Sequence, residues 1–169
     1  LATLITPNLP EALRLAGAAE GTPVEALGAT LLGQGARAVL IKGGHAESAE
    51  AIDDLFWADK RMRFAAARVP TKNTHGTGCT LSSAICCHMA LGLTLADAVA
   101  ASKTYLTGAI FASDGLLVGT GHGPVHHFHA LWTLSSQKKT LRILNVECFE
   151  CFAQKSSPRC FWQGGRAAD

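Results

Sequence analysis

The chain is poor in aromatics, with one tyrosine and seven phenylalanines among 169 residues. A β-sandwich is therefore a weak fit, and seventeen glycines favour an α/β domain with tight turns. Excess charge is also missing: the formal net charge is only +2, and no Lys/Arg block stands out, so a nucleic-acid partner is not expected. No apolar run approaches the roughly 20 residues of a membrane span, and a membrane partner is not expected either. The N-terminus lacks a charged region followed by an apolar one, so no signal peptide is read there. An initiator methionine is absent: the chain opens on Leu1 in what reads as a strand already under way, and the expectation is a fragment or a lost start. There are six cysteines, three of them in or beside one apolar helix (Cys79, Cys86, Cys87). Adjacent Cys86 and Cys87 point to different sides of a helix and make a poor bridge, which favours a reduced, cytoplasmic compartment.

What is present reads in order. Leu1 to Thr6 is a short apolar strand ending at Pro7, which holds Thr6 extended. A helix from about Leu9 to Ala16 stops near Gly17. Thr22-Pro23-Val24-Glu25 has the form of a capping box with Pro at the first helical position. The helix it opens carries Val24, Leu27, Leu31 and Leu32 and ends around Gly33 and Gly35. Ala38-Val39-Leu40-Ile41 is a buried strand closed by Lys42-Gly43-Gly44-His45, and the strand, helix, helix, strand order predicts a parallel crossover. Residues 51–58 and 61–69 read as two antiparallel strands turning at Asp59-Lys60. After a polar loop from Pro70 to Thr77, one helix runs to about Leu91 with Leu81, Ile85 and Met89 on one face. A second, started by Thr94-Leu95-Ala96-Asp97, runs to about Ala112 and is expected to bury Leu95, Val99, Leu106 and Ile110. No internal repeat is visible.

The chemistry concentrates in Thr71-Lys72-Asn73-Thr74-His75-Gly76-Thr77-Gly78-Cys79-Thr80. Glycines around Thr77 let backbone N–H groups approach a phosphate, and the helix that begins there adds unpaired N–H groups and a positive dipole end. Cys79 falls in the first turn, where a thiolate is favoured. A proton acceptor beside an anion site is what phosphoryl transfer to a hydroxyl requires. The plainer alternative is a Gly-rich turn with a small buried Cys. Likewise Asn8 and Glu11 can be a capping box without metal, Lys42 a solvated strand-end lysine, and Lys103 a surface residue of an amphipathic helix. His75 is given no catalytic role.

Asn73-Thr74-His75-Gly76-Thr77-Gly78-Cys79-Thr80-Leu81-Ser82 resembles the anion-hole motif of the hydroxymethylpyrimidine/phosphomethylpyrimidine kinases of thiamine biosynthesis, in the ribokinase-like superfamily. Most ribokinase relatives carry Asp where this chain has Cys79. Three more segments are similar in the same order: Thr6-Pro7-Asn8-Leu9-Pro10-Glu11, Leu40-Ile41-Lys42-Gly43-Gly44-His45, and Gly123-Pro124-Val125-His126-His127-Phe128 through Trp132. The resemblance implies a partial ribokinase-like three-layer α/β/α fold with a mostly parallel sheet, lacking its N-terminal half. It makes residues 1–132 the C-terminal ATP-binding half and 133–169 an unmatched tail. It implies Cys79 as base, and Gly76, Thr77 and Gly78 as the anion hole, with Thr77 and Gly78 also touching nucleotide. Lys42 and Lys103 would lie at ATP, and Glu11 with Asn8 would hold Mg²⁺ through water. The implied partners are a pyrimidine substrate and ATP, and whole relatives are implied to be homodimers. Little kinase activity is expected of this half alone. A pyridoxal kinase shares the scaffold and chemistry, and a non-catalytic truncated product or regulatory binding module is the rival outside enzymes.

Other motifs carry less. His122, His126, His127 and His129 lie without a Cys or carboxylate at ligand spacing, and the resemblance implies an ordinary C-terminal strand there rather than a metal site. Cys148 and Cys151 have the spacing of one half of a zinc or redox site, with no second such pair. The segment from Thr133 has no sustained period, and a largely disordered extension, read past the natural stop, is expected.

Overall fold

In the computed structural model, which describes residues 2–43, 49–116, 118 and 120–135, the apolar run Ala38–Lys42 forms β1. Its alternate residues serve two different cores. Val39 and Ile41 cluster with Ala12, Leu27, Leu31 and Phe56, whereas Leu40 clusters with Leu55, Leu81, Ile85, Ala98 and Val99. The two-residue period of a strand therefore puts α1 (Leu9–Ala16) and α2 (Val24–Gly33) on one face of the sheet. It puts α3 (Thr77–Ala90) and α4 (Leu95–Phe111) on the other. Each fully buried Leu or Ile in these clusters contributes about 1.5–3 kcal/mol by leaving water. The chain divides into two units, Leu1–Thr133 and Leu134–Asp169. Leu1, Gly44, His45, the Cys148 and Cys151 pair and nearly all of the expected tail lie outside the described residues.

The sheet corrects the expectation of mostly parallel strands. Its order is β1-β2-β3, with β2 at Glu50–Trp57 and β3 at Lys60–Ala67, and both pairings are antiparallel. The two-helix crossover does return β1 alongside the N-terminal segment in parallel. That pairing stays at isolated bridges, Ile5 with Val39 and Asn8 with Lys42, and residues 2–6 form no strand of their own. Pro7 has no N–H to extend the ladder, and Asn8 leaves it to cap α1. The β2–β3 hairpin turns at Ala58-Asp59, one residue before the expected place, with Ala58 at φ 51 and Trp57 facing Lys60.

Helix boundaries follow local chemistry, with two more corrections. Gly17, at φ 64, closes α1 as expected. Thr22 does not cap α2: Pro23 occupies the cap, and the Thr22 hydroxyl donates to the Ala19 carbonyl at 2.7 Å. Thr94 does cap α4, accepting from the Asp97 N–H at 3.3 Å. The fully buried set of α4 is Ala98, Val99, Ser102, Lys103 and Ala109, while Leu95, Leu106 and Ile110 are only half-buried. Its inward face is thus narrower and more polar than expected. Gly28 lets α2 approach β2, since a Cβ there would stand 2.6 Å from the Phe56 ring.

The C-terminal strand implied for residues 123–132 does not form. Pro124 makes a single parallel bridge to His75, and the chain turns into α5 (His129–Ser135). A proline at the point of pairing cannot donate to a growing ladder. Among the described residues no helix is long and apolar enough to cross a membrane.

Candidate active site

The glycine-rich loop ends where α3 begins. Gly76 is the N-cap at φ 82, a left-handed backbone that costs a side-chain-bearing residue. Its carbonyl accepts both the backbone N–H of Thr80 at 2.9 Å and the Thr80 hydroxyl at 2.8 Å, which fixes the first turn. The Thr77 N–H makes only a long bond, 3.4 Å, to the Thr74 carbonyl. The N–H groups of Gly78 and Cys79 take no partner among the described residues. A Cβ on Gly78 would meet nothing within 4 Å, and Cys79 is exposed. The turn therefore presents free donors to open space, as an anion site requires.

The loop before it is held from behind. Asn73 is buried, and its side-chain amide donates to the Ser113 carbonyl at 2.8 Å. The His75 N–H donates to the Gly123 carbonyl at 3.1 Å, and the Thr71 hydroxyl donates to the Asp114 carboxylate. His75 itself is exposed and brings its backbone, not its ring, to this clamp. Asn73 stood in the motif without an assigned role. Its value as an anchor depends on a contact 40 residues downstream, which no local pattern reveals.

Asn8 and Glu11 form a full capping box: Asn8 Oδ1 accepts from the Glu11 N–H at 2.8 Å, and Glu11 Oε2 accepts from the Asn8 N–H at 2.7 Å. The same Oε2 lies 4.0 Å from the Lys42 ammonium, which also donates to the Thr6 carbonyl. Burial pushes the Lys42 pKa below the usual lysine value, opposed by electrostatic attraction to Glu11, Asp53 and Cys79. Lys42, Glu11 and Asp53 share one neighbourhood at the end of β1, and Cys79, at the start of α3, acts on Lys42 electrostatically.

Lys103 reaches this neighbourhood through a partner that sequence reasoning missed. It is 8% exposed, so it is no surface lysine, and its ammonium is 2.6 Å from Asp53 Oδ2. A buried cation on α4 is tolerable because that carboxylate, also buried, accompanies it. Asp53 Oδ1 in turn accepts from the Gly43 N–H at 3.2 Å. The available signal was the pair Asp53-Asp54 inside an otherwise apolar strand, since buried carboxylates need cations. Asp54 lies on the opposite face and finds Arg61 at 2.9 Å and Arg63 at 3.1 Å.

A cavity of about 360 Å³ lies beside Glu11, lined by Ile5, Thr6, Pro7, Glu11, Arg14 and Leu15. It reaches neither Gly78 nor Cys79. The open turn at the start of α3 is a separate feature from this cavity.

Comparison with known proteins identifies the family. A family model described as phosphomethylpyrimidine kinase matches residues 1–126. The hydroxymethylpyrimidine/phosphomethylpyrimidine kinase of Rhizobium meliloti is 47% identical over 135 residues, covering 78% of this chain and 51% of that protein. The Escherichia coli protein of the same description is 49% identical over 133 residues, covering 77% and 50%. Among solved structures, an ADP complex of Bacillus subtilis pyridoxal kinase superposes with a TM-score of 0.71 at 32% identity, covering 78% of this chain and 52% of that one. Staphylococcus aureus pyridoxal kinase with AMP-PCP and pyridoxal gives 0.70 at 27% identity, covering 76% and 49%. The chain spans about half the length of the curated relatives it matches. With the glycine-rich helix start, the strand-end lysine and the α1 cap in place, the chain belongs to the phosphomethylpyrimidine kinase family.

Proposed function

We propose that residues 1–132 are the C-terminal, nucleotide-binding half of a kinase, with 133–169 an extension outside that domain. The whole protein transfers the γ-phosphoryl group of ATP to the hydroxymethyl group of a pyrimidine, and then to the resulting monophosphate. The relatives at 47% and 49% identity carry this activity in their description. The observation that carries the reading is the pair of N–H groups at Gly78 and Cys79 that takes no partner among the described residues.

In this reading the substrate hydroxyl lies at the Cys79 sulfur, which takes its proton as the oxygen attacks the γ-phosphorus. The bond from that phosphorus to the β–γ bridging oxygen breaks, and ADP leaves. The Gly78 and Cys79 N–H groups, with Gly76 and Thr77 shaping the turn, donate to the oxygens on which charge develops. Lys42 balances the nucleotide phosphates. Lys103 contributes from behind, by neutralising Asp53.

The donors present fit Mg²⁺ only through water. Glu11 has one carboxylate oxygen without a partner among the described residues, and the Asn8 side-chain oxygen is committed to the Glu11 N–H. No group of three ligating side chains occurs among the described residues. Glu11 would hold the hydrated ion, with Asn8 fixing Glu11, and the ion when bound neutralises phosphate charge.

Cys79→Ala in the whole protein tests the assignment by ADP release with the pyrimidine as substrate. A loss of about 10²–10⁴ in kcat with little change in the KM for ATP is expected. An undiminished kcat would refute the role of Cys79. The 169-residue chain alone is expected to show little turnover, and clear phosphorylation by it would overturn that.

A second reading is favoured by the solved neighbours, which are described as pyridoxal kinases. Competition between pyridoxal and hydroxymethylpyrimidine on the whole protein separates the two, and a kcat/KM at least tenfold higher for pyridoxal would select the second.

A further inference from the structure

Beyond the residues that face a phosphate, the geometry points to Asp53 as a positioning residue that holds the Lys42-Gly43 turn in place, locked by Lys103 from α4. The inference rests on the nucleotide-binding reading for its functional consequence and on geometry for the rest.

Asp53 stands directly opposite Lys42 in the β1–β2 register, so both side chains leave the sheet on one face. Leu40 and Leu55, a facing pair two positions along, belong to the core built with α3 and α4, so this is the face from which Cys79 and Lys103 come. The Asp53 carboxylate divides its oxygens: Oδ2 accepts from Lys103 at 2.6 Å, and Oδ1 accepts from the Gly43 N–H at 3.2 Å. That N–H is forked, because it also reaches the Ile52 carbonyl at 2.8 Å. The approach is close enough that a Cβ on Gly43 would stand 2.2 Å from the Ile52 oxygen. The backbone at Gly43 is therefore held against β2 by the Ile52 carbonyl and by the Asp53 carboxylate.

Lys103 fixes that carboxylate. Without it, the buried Asp53 carboxylate would keep the Gly43 N–H and the longer-range pull of Lys42 but lose its close cation, and it would be free to rotate. A pair serving only to cement α4 to the sheet would need just the Oδ2 contact. The second oxygen, spent on the residue after Lys42, is what extends the pair to the phosphate side.

The test uses the 169-residue chain. Asp53→Leu combined with Lys103→Leu removes both charges while filling the space, a replacement that buried ion pairs often tolerate. Amide exchange at Gly43, followed by NMR, and the Kd for MgATP are read on this variant and on wild type. Gly43 exchange faster by about fivefold or more, about the effect of one hydrogen bond, is expected. MgATP affinity should fall by about the same factor. Both quantities within twofold of wild type in a folded double variant would overturn the proposal and leave the pair purely structural. Should that variant not fold, Asp53→Asn with Lys103→Met keeps an oxygen acceptor but removes the lock. Faster Gly43 exchange then supports the proposal, and an unchanged rate overturns it. If wild type binds no MgATP, the nucleotide reading fails, while Gly43 exchange still decides the positioning role.

Discussion

A Cβ placed on Gly123 would stand 2.1 Å from Asn73 Oδ1, so the downstream segment touches the loop before α3 with no room for a side chain. Gly123 and Asn73 are both buried, and the Gly123 carbonyl also receives the His75 N–H. The loop thus takes its shape from a contact 50 residues away in sequence, not from its own glycines alone.

Gly123→Ala should therefore act on the loop. The expected cost is about 1–3 kcal/mol, as for other overpacked sites, read as a lowered urea midpoint with an unchanged slope. A midpoint equal to wild type would mean that Asn73 can yield, and that the clamp does not shape the loop.

Gly76 and Gly78, two residues apart, should respond differently. Gly76 has a left-handed backbone, so Gly76→Ala is expected to cost about 1–2 kcal/mol. Gly78 has ordinary helical geometry and open space at its Cβ position, so Gly78→Ala should leave stability unchanged or slightly raised. It should still weaken MgATP binding, because a methyl group would occupy the space over the free N–H groups. Calorimetry on the two variants reads both effects, and equal MgATP affinity in Gly78→Ala and wild type would argue against an anion site there.

On the opposite face, Asp54 is buried while Arg61 and Arg63 are partly exposed. Burial alone would lower the Arg61 pKa, but Asp54 and Glu25 outweigh it and hold it above the usual value. Because two arginines serve one carboxylate, loss of either alone should be mild. Arg61→Ala with Arg63→Ala leaves a buried anion without a cation and should cost about 3–5 kcal/mol, more than the two single losses combined. Additive single effects in a double-mutant cycle would contradict a shared network.

Lys42 carries the expected pH dependence. Burial lowers its pKa below the ordinary 10.5, against the pull of Glu11, Asp53 and Cys79. Between that lowered value and 10.5 the unfolded chain binds more protons, so stability from this group rises with pH through the window. The penalty of burying the ammonium is present below the lowered value and relieved above it. MgATP affinity should do the opposite, falling as pH rises through the same window. Lys42→Arg, which stays charged, should flatten the affinity profile, and identical profiles would remove Lys42 from the phosphate site.

The motifs were legible in sequence where the chemistry is local. The Asn8–Glu11 box, the Gly17 stop, the Thr94 cap and the helix start at Gly76 all depend on neighbours within four residues. What the sequence left hidden depends on distant partners. The sheet came out antiparallel because Pro7 and Asn8 end the parallel pairing after a few residues, while the Ala58-Asp59 turn lets β3 fold straight back. Thr22 resembled a cap, but Pro23 took the position and left the hydroxyl to Ala19. The resemblance assigns Lys103 to the nucleotide, and its pairing with Asp53 stays hidden because that partner stands 50 residues earlier.

The central claim is that nucleotide phosphate sits on the first turn of α3. Alkylation of Cys79, Cys86 and Cys87 by iodoacetamide, followed residue by residue by mass spectrometry, tests it directly because all three thiols are exposed. MgATP should slow modification of Cys79 by about tenfold while Cys86 and Cys87 react unchanged, and the protection should vanish in Gly78→Ala. Equal rates at Cys79 with and without MgATP, at concentrations that saturate binding, would contradict the account.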